Sequence, residues 1–221
     1  MRRYIGKIMA SFFCLLIITA GVLIIPTPHA NALTYKLTDA YPTARNGWDG
    51  GAFWVHEING GQEVKKFKSF CLEKSERFNW DTSYNGTIDP YAIKGGNESP
   101  SDATPGQDEL DDKTAYLYLK YLGSYSAAGS STAAIDQAYQ AAIWYIEDEI
   151  TTDLTGDALA LYTEASNTEF TNNGRVAVLN LYDDAGNLKQ SQTYLVPEPA
   201  TIMLLGFGLL SLGMAVRRRK Q

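Results

Sequence analysis

The chain has 221 residues, of which 45% are hydrophobic and 20% are charged, a balance typical of a folded protein rather than a disordered one. Its formal net charge is −6, and an acidic surface repels nucleic acid and anionic lipid. We therefore expect no nucleic-acid-binding function.

The N-terminal segment has the pattern of a secretory signal peptide. Three basic residues precede an apolar run at residues 8–25, and Ala30-Asn31-Ala32 has the small residues of a cleavage site. We predict that signal peptidase removes residues 1–32. Cys14 lies in the apolar run and is lost with the peptide, so the predicted mature protein keeps a single cysteine.

The segment 33–196 is the predicted extracytoplasmic domain, and it is strongly acidic. The predicted signal peptide and C-terminal tail contain seven of the 19 basic residues but only one of the 25 acidic residues, which leaves this domain with a net formal charge of −12. A segment of this length is sufficient for one domain with a hydrophobic core.

Strand patterns occur at both ends of this domain. Residues 52–58 and 64–72 flank an Asn-Gly-Gly turn, which predicts a β-hairpin. Near the C-terminal end, residues 175–182 are rich in Val and Leu, and a polar turn separates them from a further candidate strand at 188–196. We therefore expect sheet at the beginning and at the end of the domain.

The middle of the domain has a different pattern. Residues 79–107 are rich in Gly, Pro, Ser, Asn and Asp, which predicts a long loop. Apolar residues at helical spacing then predict two helices, at 111–122 with a stop at Gly123 and at 133–150. Candidate N-caps are Asp108 or Asp111 for the first helix and Ser130, Ser131 or Thr132 for the second. The order of elements predicts an α+β fold in which a sheet carries a helical insertion.

The last part of the chain has the pattern of a sorting tail. It consists of the motif Val196-Pro197-Glu198-Pro199-Ala200-Thr201, an apolar run at 202–216, and the basic cluster Arg217-Arg218-Arg219-Lys220. The prolines keep the backbone extended and accessible to a processing enzyme. The apolar run, lengthened by two preceding residues, reaches the lower limit of about 17 residues for a membrane-spanning helix. The basic cluster stops transfer and keeps the C-terminus in the cytoplasm. An ordinary membrane anchor is the alternative.

This tail, residues 197–221 with the preceding Val196, resembles the PEP-CTERM segment of exopolysaccharide-producing Gram-negative bacteria. The resemblance implies recognition by an exosortase and a transient inner-membrane intermediate. It further implies delivery of the domain to the cell envelope, the cell surface or the extracellular matrix. It concerns sorting and indicates nothing about the chemistry of the domain.

Cys71 is the one cysteine of the predicted mature domain, within Phe-Cys-Leu-Glu at 70–73. An unpaired thiol in an oxidising compartment is open to oxidation and to intermolecular disulfides, so its presence needs a reason. Three explanations stay open. The residue is buried as a small hydrophobe, it pairs with another chain, or an internal bond consumes it.

The third explanation gains support from Gln140, within Tyr-Gln-Ala-Ala-Ile-Trp at 139–144. Phe70-Cys71 on an early strand and this glutamine motif on a later helix resemble the Cys-Gln thioester domains of bacterial surface proteins, with Tyr139 where that family usually has Thr. The resemblance implies an acyl thioester between Cys71 and Gln140, and a mainly antiparallel β-sandwich or barrel-like sheet. The alternative for Gln140 is a structural amide on a helix flank.

Other candidate residues have weaker patterns. His56 is the one histidine of the predicted mature domain, and it either assists proton transfer or packs on a half-buried strand. Trp48, Trp54 and Trp80 are candidates for a sugar-stacking surface or for the core.

The acidic runs at 108–112 and 147–149 are expected to be solvated. Calcium bound with loop oxygens is the alternative, although neither run has the spacing of an EF-hand loop. One cysteine and one histidine do not make a zinc site, so we expect no resident metal or cofactor.

Two functional hypotheses follow. The first is an exported, exosortase-sorted surface or matrix protein that uses a Cys71–Gln140 thioester to attach covalently to an amine or hydroxyl on a partner protein or polysaccharide. Because each molecule reacts once, this would not be a turnover enzyme. The second is a non-catalytic structural or carbohydrate-binding protein of the matrix or biofilm, with a buried and inert Cys71.

Overall fold

The computed structural model describes residues 32–40, 50–93 and 106–197. These residues form strands β1 (Thr34–Asp39), β2 (Phe53–Asn59), β3 (Gln62–Ser69), β4 (Ser83–Asp89), β5 (Tyr91–Ile93) and β6 (Gln107–Glu109), helices α1 (Asp112–Tyr125), α2 (Ala133–Ile146) and α3 (Gly156–Asn167), and strands β7 (Val176–Tyr182) and β8 (Leu188–Leu195). Residues 1–31 of the predicted signal peptide, Trp48 and the tail from Glu198 onward lie outside the described residues. None of the described helices is long and apolar enough to span a membrane.

Most strands belong to one antiparallel sheet. Its order is β3-β2-β1-β4-β7-β8, and β5 and β6 form a separate two-stranded sheet. The pairs β2–β3 and β7–β8 are antiparallel hairpins, as predicted. The first hairpin turns at Gly60 and Gly61, which have φ values of 56° and 82°, a conformation that glycine adopts without steric cost.

The two outer strands of the sheet meet through the segment that follows β3. Thr193 N–H donates to Phe70 O at 2.9 Å and Leu72 N–H donates to Ser191 O at 3.0 Å, while Cys71 forms an antiparallel bridge with Gln192. These bonds satisfy backbone groups that an open edge would leave unpaired. The sheet is therefore barrel-like, one of the two expected forms.

The three helices lie between β6 and β7, so the predicted α+β fold with a helical insertion is confirmed. The α1 N-cap is Asp111, whose carboxylate accepts from Lys113 N–H at 2.7 Å, and the α2 N-cap is Thr132, whose hydroxyl accepts from Ile135 N–H at 3.3 Å. Each was among the candidate caps. Side-chain caps supply acceptors for N–H groups that the first helical turn leaves unbonded.

Both predicted helix ends were wrong. α1 continues past Gly123 to Tyr125, whose ring packs 5.4 Å from that of Tyr121, and a single interior glycine costs only about 1 kcal/mol. α2 ends at Ile146 rather than at residue 150, because Asp148 adopts a left-handed conformation with φ 59°.

The predicted loop at 79–107 was wrong for β4 and β5, and no element was predicted for β1 or α3. The β4 sequence, Ser-Tyr-Asn-Gly-Thr-Ile-Asp, has weak strand propensity, but β4 pairs with β1 on one side and β7 on the other. Gly86 in β4 allows this packing, since an added Cβ would lie 2.7 Å from the Tyr35 ring.

The buried apolar residues form two clusters on either side of the segment after β3. The helix-side cluster consists of Ala52, Phe70, Leu72, Ala92, Ala115, Leu117, Tyr118, Tyr121, Tyr139, Ala142, Ile143, Ala165, Val176 and Val178. The barrel cluster consists of Tyr35, Leu37, Phe53, Val55, Phe67, Cys71, Tyr84, Trp144, Leu179, Leu181 and Tyr194. Successive residues of extended backbone point to opposite sides, so Phe70 joins the first cluster and Cys71 the second.

Candidate functional site

Cys71 and Gln140 meet where the closed end of the sheet contacts α2. Cys71 follows β3 and Gln140 lies in the middle of α2, and the side chains of both have an exposed fraction of 0%. The Cys71 thiol donates to Gln140 Oε1 at a sulfur–oxygen distance of 3.2 Å, although the two residues are 69 positions apart in the sequence. The fold therefore brings together the pair that the sequence suggested.

The carboxamide of Gln140 is held at both ends. Its Oε1 accepts hydrogen bonds from Gly51 N–H at 2.9 Å and from Cys71 N–H at 3.2 Å. Its Nε2 donates to Cys71 O at 2.7 Å. Two backbone N–H groups on one carbonyl oxygen form the arrangement of an oxyanion hole, which stabilises negative charge that develops on that oxygen.

Gly51 is a site residue that the sequence analysis missed. A Cβ at this position would lie 3.2 Å from Gln140 Oε1 and 3.1 Å from Ser69 O, so glycine permits the close approach of the main chain to α2. Gly51 belongs to a Gly-Gly pair, residues 50–51, just before β2. A glycine next to a strand also indicates close backbone approach, and this was the available signal.

Burial raises the pKa of the Cys71 thiol well above its usual range, because a thiolate loses its hydration there. The backbone N–H groups of Cys71 and Gly51 and the Trp144 side chain act against this rise in pKa. The negative charge of Glu73 adds to the rise. Unreacted Cys71 is therefore a protonated thiol at neutral pH.

The flank of α2 that carries Gln140 is buried rather than partly exposed. Asp136, one turn before Gln140, accepts from Tyr121 O–H at 2.8 Å, and Lys68 Nζ donates to Ser131 Oγ at 2.8 Å beside it. Burial raises the pKa of the Asp136 carboxyl, and hydrogen bonds from Tyr121 and Ser131 oppose this rise. The helix thus rests on the sheet through polar as well as apolar contacts.

His56 lies in β2 with both of its ring nitrogens bonded away from the Cys71–Gln140 pair. Nε2 is 2.9 Å from Thr38 Oγ1, and Nδ1 bonds the carboxylate of Glu63. These partners leave the imidazole no free nitrogen for the thiol or the carboxamide. The structure does not bring His56 to the site.

The prediction that residues 147–149 form a solvated face was wrong for two of the three. Glu147 and Glu149 have exposed fractions of only 5% and 8%, whereas Asp148 is exposed. Glu147 accepts from Asp111 N–H at 3.3 Å, and Glu149 accepts from Lys74 N–H at 2.8 Å, so each carboxylate meets a main-chain donor of another segment.

Burial also raises the pKa of Glu147 well above its usual value, with the nearby Thr114 side chain opposing the rise and the charges of Asp108 and Asp111 adding to it. The prediction of a solvated run at 108–112 was wrong for Asp108, which is buried. Within the described ranges, no group of three or more His, Cys, Asp or Glu side chains is arranged to hold a metal ion.

The two described candidate tryptophans do not share a surface. Trp80 packs against Phe53 with ring centroids 5.4 Å apart, at the rim of the barrel cluster. Trp54 follows Phe53 in β2 and so points to the opposite face, where Lys66 Nζ lies 4.7 Å from its ring centroid. This placement favours packing over a common sugar-stacking platform.

The described start of the C-terminal motif follows directly from β8. Val196 N–H donates to Arg175 O at 3.0 Å and Val196 packs against the barrel cluster, while Pro197 is exposed. Residues 195–220 match the PEP-CTERM protein-sorting motif. The match confirms the predicted sorting tail, and it implies export, processing by an exosortase and sorting to the cell envelope or surface.

The chain is similar to the solved structure of the N-terminal thioester domain of a surface protein from Clostridium perfringens. The two share 12% sequence identity with a TM-score of 0.45, over 74% of this chain and 99% of the solved chain. No curated protein matches the chain.

Proposed function

We propose that the domain forms an internal thioester between Cys71 and Gln140 and uses it to attach covalently to a partner. The observation that supports this most directly is the Cys71 thiol 3.2 Å from a Gln140 carbonyl oxygen that two backbone N–H groups already hold. The Cys71 sulfur, the Gln140 carbonyl group and the N–H groups that would stabilise its negative charge therefore already lie close together before the thioester bond forms.

Thioester formation is an acyl transfer from nitrogen to sulfur. Cys71 Sγ attacks the side-chain carbonyl carbon of Gln140, and negative charge develops on Oε1 between the N–H groups of Gly51 and Cys71. The carbon–nitrogen bond breaks, the thiol proton moves to the departing nitrogen, and ammonia leaves. Amide nitrogen leaves slowly in water, so close and fixed geometry is what makes the step feasible.

Capture reverses the role of the sulfur. An amine or hydroxyl of the partner attacks the same carbon, the carbon–sulfur bond breaks, and the proton of the nucleophile passes to the released Cys71 thiolate, which becomes a thiol. Gln140 then carries an amide or ester to the partner and does not regenerate. The domain would act once per molecule, as an attachment device and not as a turnover enzyme, without a resident cofactor.

The sorting tail supplies the setting for this reaction. After signal peptidase and exosortase have acted, the domain would reach the cell surface or the extracellular matrix, where lysine amines of proteins and hydroxyls of polysaccharides are the available nucleophiles. A surface or matrix protein or a polysaccharide is therefore the proposed partner.

Intact-mass measurement of the exported protein tests the proposal. A thioester lowers the mass by about 17 Da relative to the processed sequence, and methylamine then adds about 31 Da. Cys71→Ala removes the nucleophile and is expected to have its full calculated mass before and after methylamine. A wild-type protein of full mass that does not react with methylamine would contradict the thioester and leave the non-catalytic structural or carbohydrate-binding hypothesis.

A further inference from the structure

One face of α1 contacts both of the segments that carry the candidate reactive pair. Tyr118 and Tyr121 are three residues apart, so their side chains lie on the same face of the helix, and both are buried. Tyr118 O–H donates to Lys68 O at 2.8 Å, near the end of β3 and three residues before the cysteine. Tyr121 O–H donates to Asp136 Oδ1 at 2.8 Å, in α2 and one helical turn before the glutamine. One hydroxyl thus holds the strand and the other holds α2.

The Tyr121 ring also packs on the residues directly before the cysteine and the glutamine. Its centroid lies 4.7 Å from that of Phe70 and 5.1 Å from that of Tyr139. Both contacts are T-shaped, an arrangement that aromatic pairs favour. A shift of α2 relative to the strand would therefore disturb the ring contacts of Tyr121 together with its hydroxyl bond.

A buried chain of hydrogen bonds connects the two hydroxyl contacts. Lys68 Nζ donates to Ser131 Oγ at 2.8 Å, and the Tyr121 hydroxyl oxygen lies 3.1 Å from the same atom. Ser131 directly precedes the α2 N-cap, and Lys68, Ser131 and Asp136 are all buried. Buried polar groups that bond one another strengthen each other and specify one arrangement. The end of β3, α1 and the start of α2 are therefore held in one relative position.

We propose that Tyr118 and Tyr121 are positioning residues, which hold Gln140 against Cys71 while the thioester forms. They act through the strand and the helix that they hold, and the inference rests on the proposed thioester. Before the bond forms, only the fold keeps the thiol near the carboxamide, and a misplacement of about 1 Å can cost 10²-fold in rate. After it forms, the carbon–sulfur bond itself joins the two side chains, so capture no longer depends on the two hydroxyls.

The kinetics of two variants test this role. Tyr118→Phe and Tyr121→Phe remove the hydroxyls and keep the rings. In protein that is produced unfolded and then refolded, the loss of about 17 Da reports thioester formation, and we expect it to slow by about 10-fold to 10²-fold in each variant. The gain of about 31 Da with methylamine reports capture, and the completed thioester of each variant should react at the wild-type rate.

Tyr84→Phe is the matched control. Tyr84 is also buried, and its hydroxyl accepts from Asn79 N–H at 2.6 Å and donates to Asn79 O at 3.2 Å. Its loss is expected to lower the midpoint of urea denaturation as the α1 variants do, because each change removes a hydroxyl that is bonded inside the fold. Thioester formation in Tyr84→Phe should nevertheless keep the wild-type rate. Tryptophan fluorescence, recorded in parallel, separates slow refolding from slow thioester formation.

The outcomes separate the positioning role from the thioester. Formation at the wild-type rate in a folded α1 variant overturns the role of the tyrosine that the variant lacks. An equal slowing in Tyr84→Phe, or an equal slowing of formation and capture, overturns the role of both tyrosines, because either result indicates a general loss of stability. All of these results leave the thioester standing. A full wild-type mass defeats the thioester and the positioning role together.

Discussion

At Gly51 the main chain comes close enough to α2 for its N–H to reach Gln140 Oε1 at 2.9 Å. A side chain is absent there for a steric reason, since a Cβ would lie within 3.2 Å of both Oε1 and Ser69 O. The site therefore depends on one residue that contributes no reactive group. Its contribution is a backbone donor at a fixed position.

Gly51→Ala is expected to slow thioester formation by about 10²-fold, the typical effect of losing one oxyanion-hole donor. The added methyl group would push Oε1 away from the Gly51 N–H, and the rate at which refolded protein loses about 17 Da measures the effect.

Gly123→Ala is the control. Gly123 lies in α1 with open space around an added Cβ, so this change should stabilise the fold by roughly 0.5–1 kcal/mol and leave the rate unchanged. Equal rates in both variants would contradict the assignment of Gly51.

At the scale of elements, the short pairing between β8 and the segment after β3 sets the position of Cys71. Ser69 Oγ donates to Thr193 O at 2.7 Å, and Phe70 N–H donates to Thr193 Oγ1 at 3.1 Å. The backbone bonds on either side of Cys71 continue this pairing. The Thr193 side chain of β8 thus accepts a hydrogen bond from the segment that carries Cys71, the candidate nucleophile.

Thr193→Val keeps the shape of this side chain but removes its hydroxyl. The Phe70 N–H is then left in a buried position without an acceptor, so the free energy of unfolding is expected to fall by about 1–3 kcal/mol. Urea denaturation measures the change. Thr87→Val, where the lost hydroxyl bonds Asp89 at the surface, should alter stability by less than about 0.5 kcal/mol. A similar decrease in the free energy of unfolding in both variants would show that the Thr193 hydroxyl contributes no more to stability than a surface hydroxyl does.

At the scale of the whole molecule, the predicted mature domain combines an acidic net charge with acidic groups in its interior. Burial raises the pKa of both Asp136 and Glu147. The two residues lie near opposite ends of α2, so the helix that carries Gln140 has a buried acid at each end. Ionising either group inside the fold costs free energy, and the stability of the domain should therefore depend on pH.

The sign of this dependence follows from the raised pKa of Glu147. A neutral carboxyl is favoured in the folded state, so its stabilising effect is complete below the unfolded pKa of 4.5 and is lost as pH rises through the higher folded value. Glu147→Gln mimics the neutral form and keeps an acceptor for Asp111 N–H. The variant should therefore be more stable than wild type at pH 8, by a margin that shrinks towards pH 4.

Urea denaturation at several pH values between 4 and 8 checks this expectation. Asp148→Asn is the matched control, because Asp148 is exposed, carries the same charge and has a left-handed conformation that Asn also tolerates. A Glu147→Gln variant that is as pH-dependent as Asp148→Asn would refute the buried-acid explanation.

Local pattern accounts for the elements that were predicted correctly. The strands of the hairpins β2–β3 and β7–β8 flank turns rich in Gly, Asn and Asp, and α1 and α2 have apolar residues at helical spacing after a capping side chain. β4 lacks such a pattern and is a strand because of its neighbours. The burial of Glu147 was missed for the same reason, since its donor is the main chain of Asp111, 36 residues away.

The sequence by itself determined the sorting tail and named the two side chains with the chemistry for a thioester. Those signals are local, because a sorting motif or a reactive residue type can be recognised within a short segment of sequence. Only the tertiary structure decided that Cys71 and Gln140 touch and that Gly51 N–H completes the pocket for Oε1. These contacts depend on the closure of the sheet and on the packing of α2 against it, which join residues far apart in the sequence and leave no local pattern.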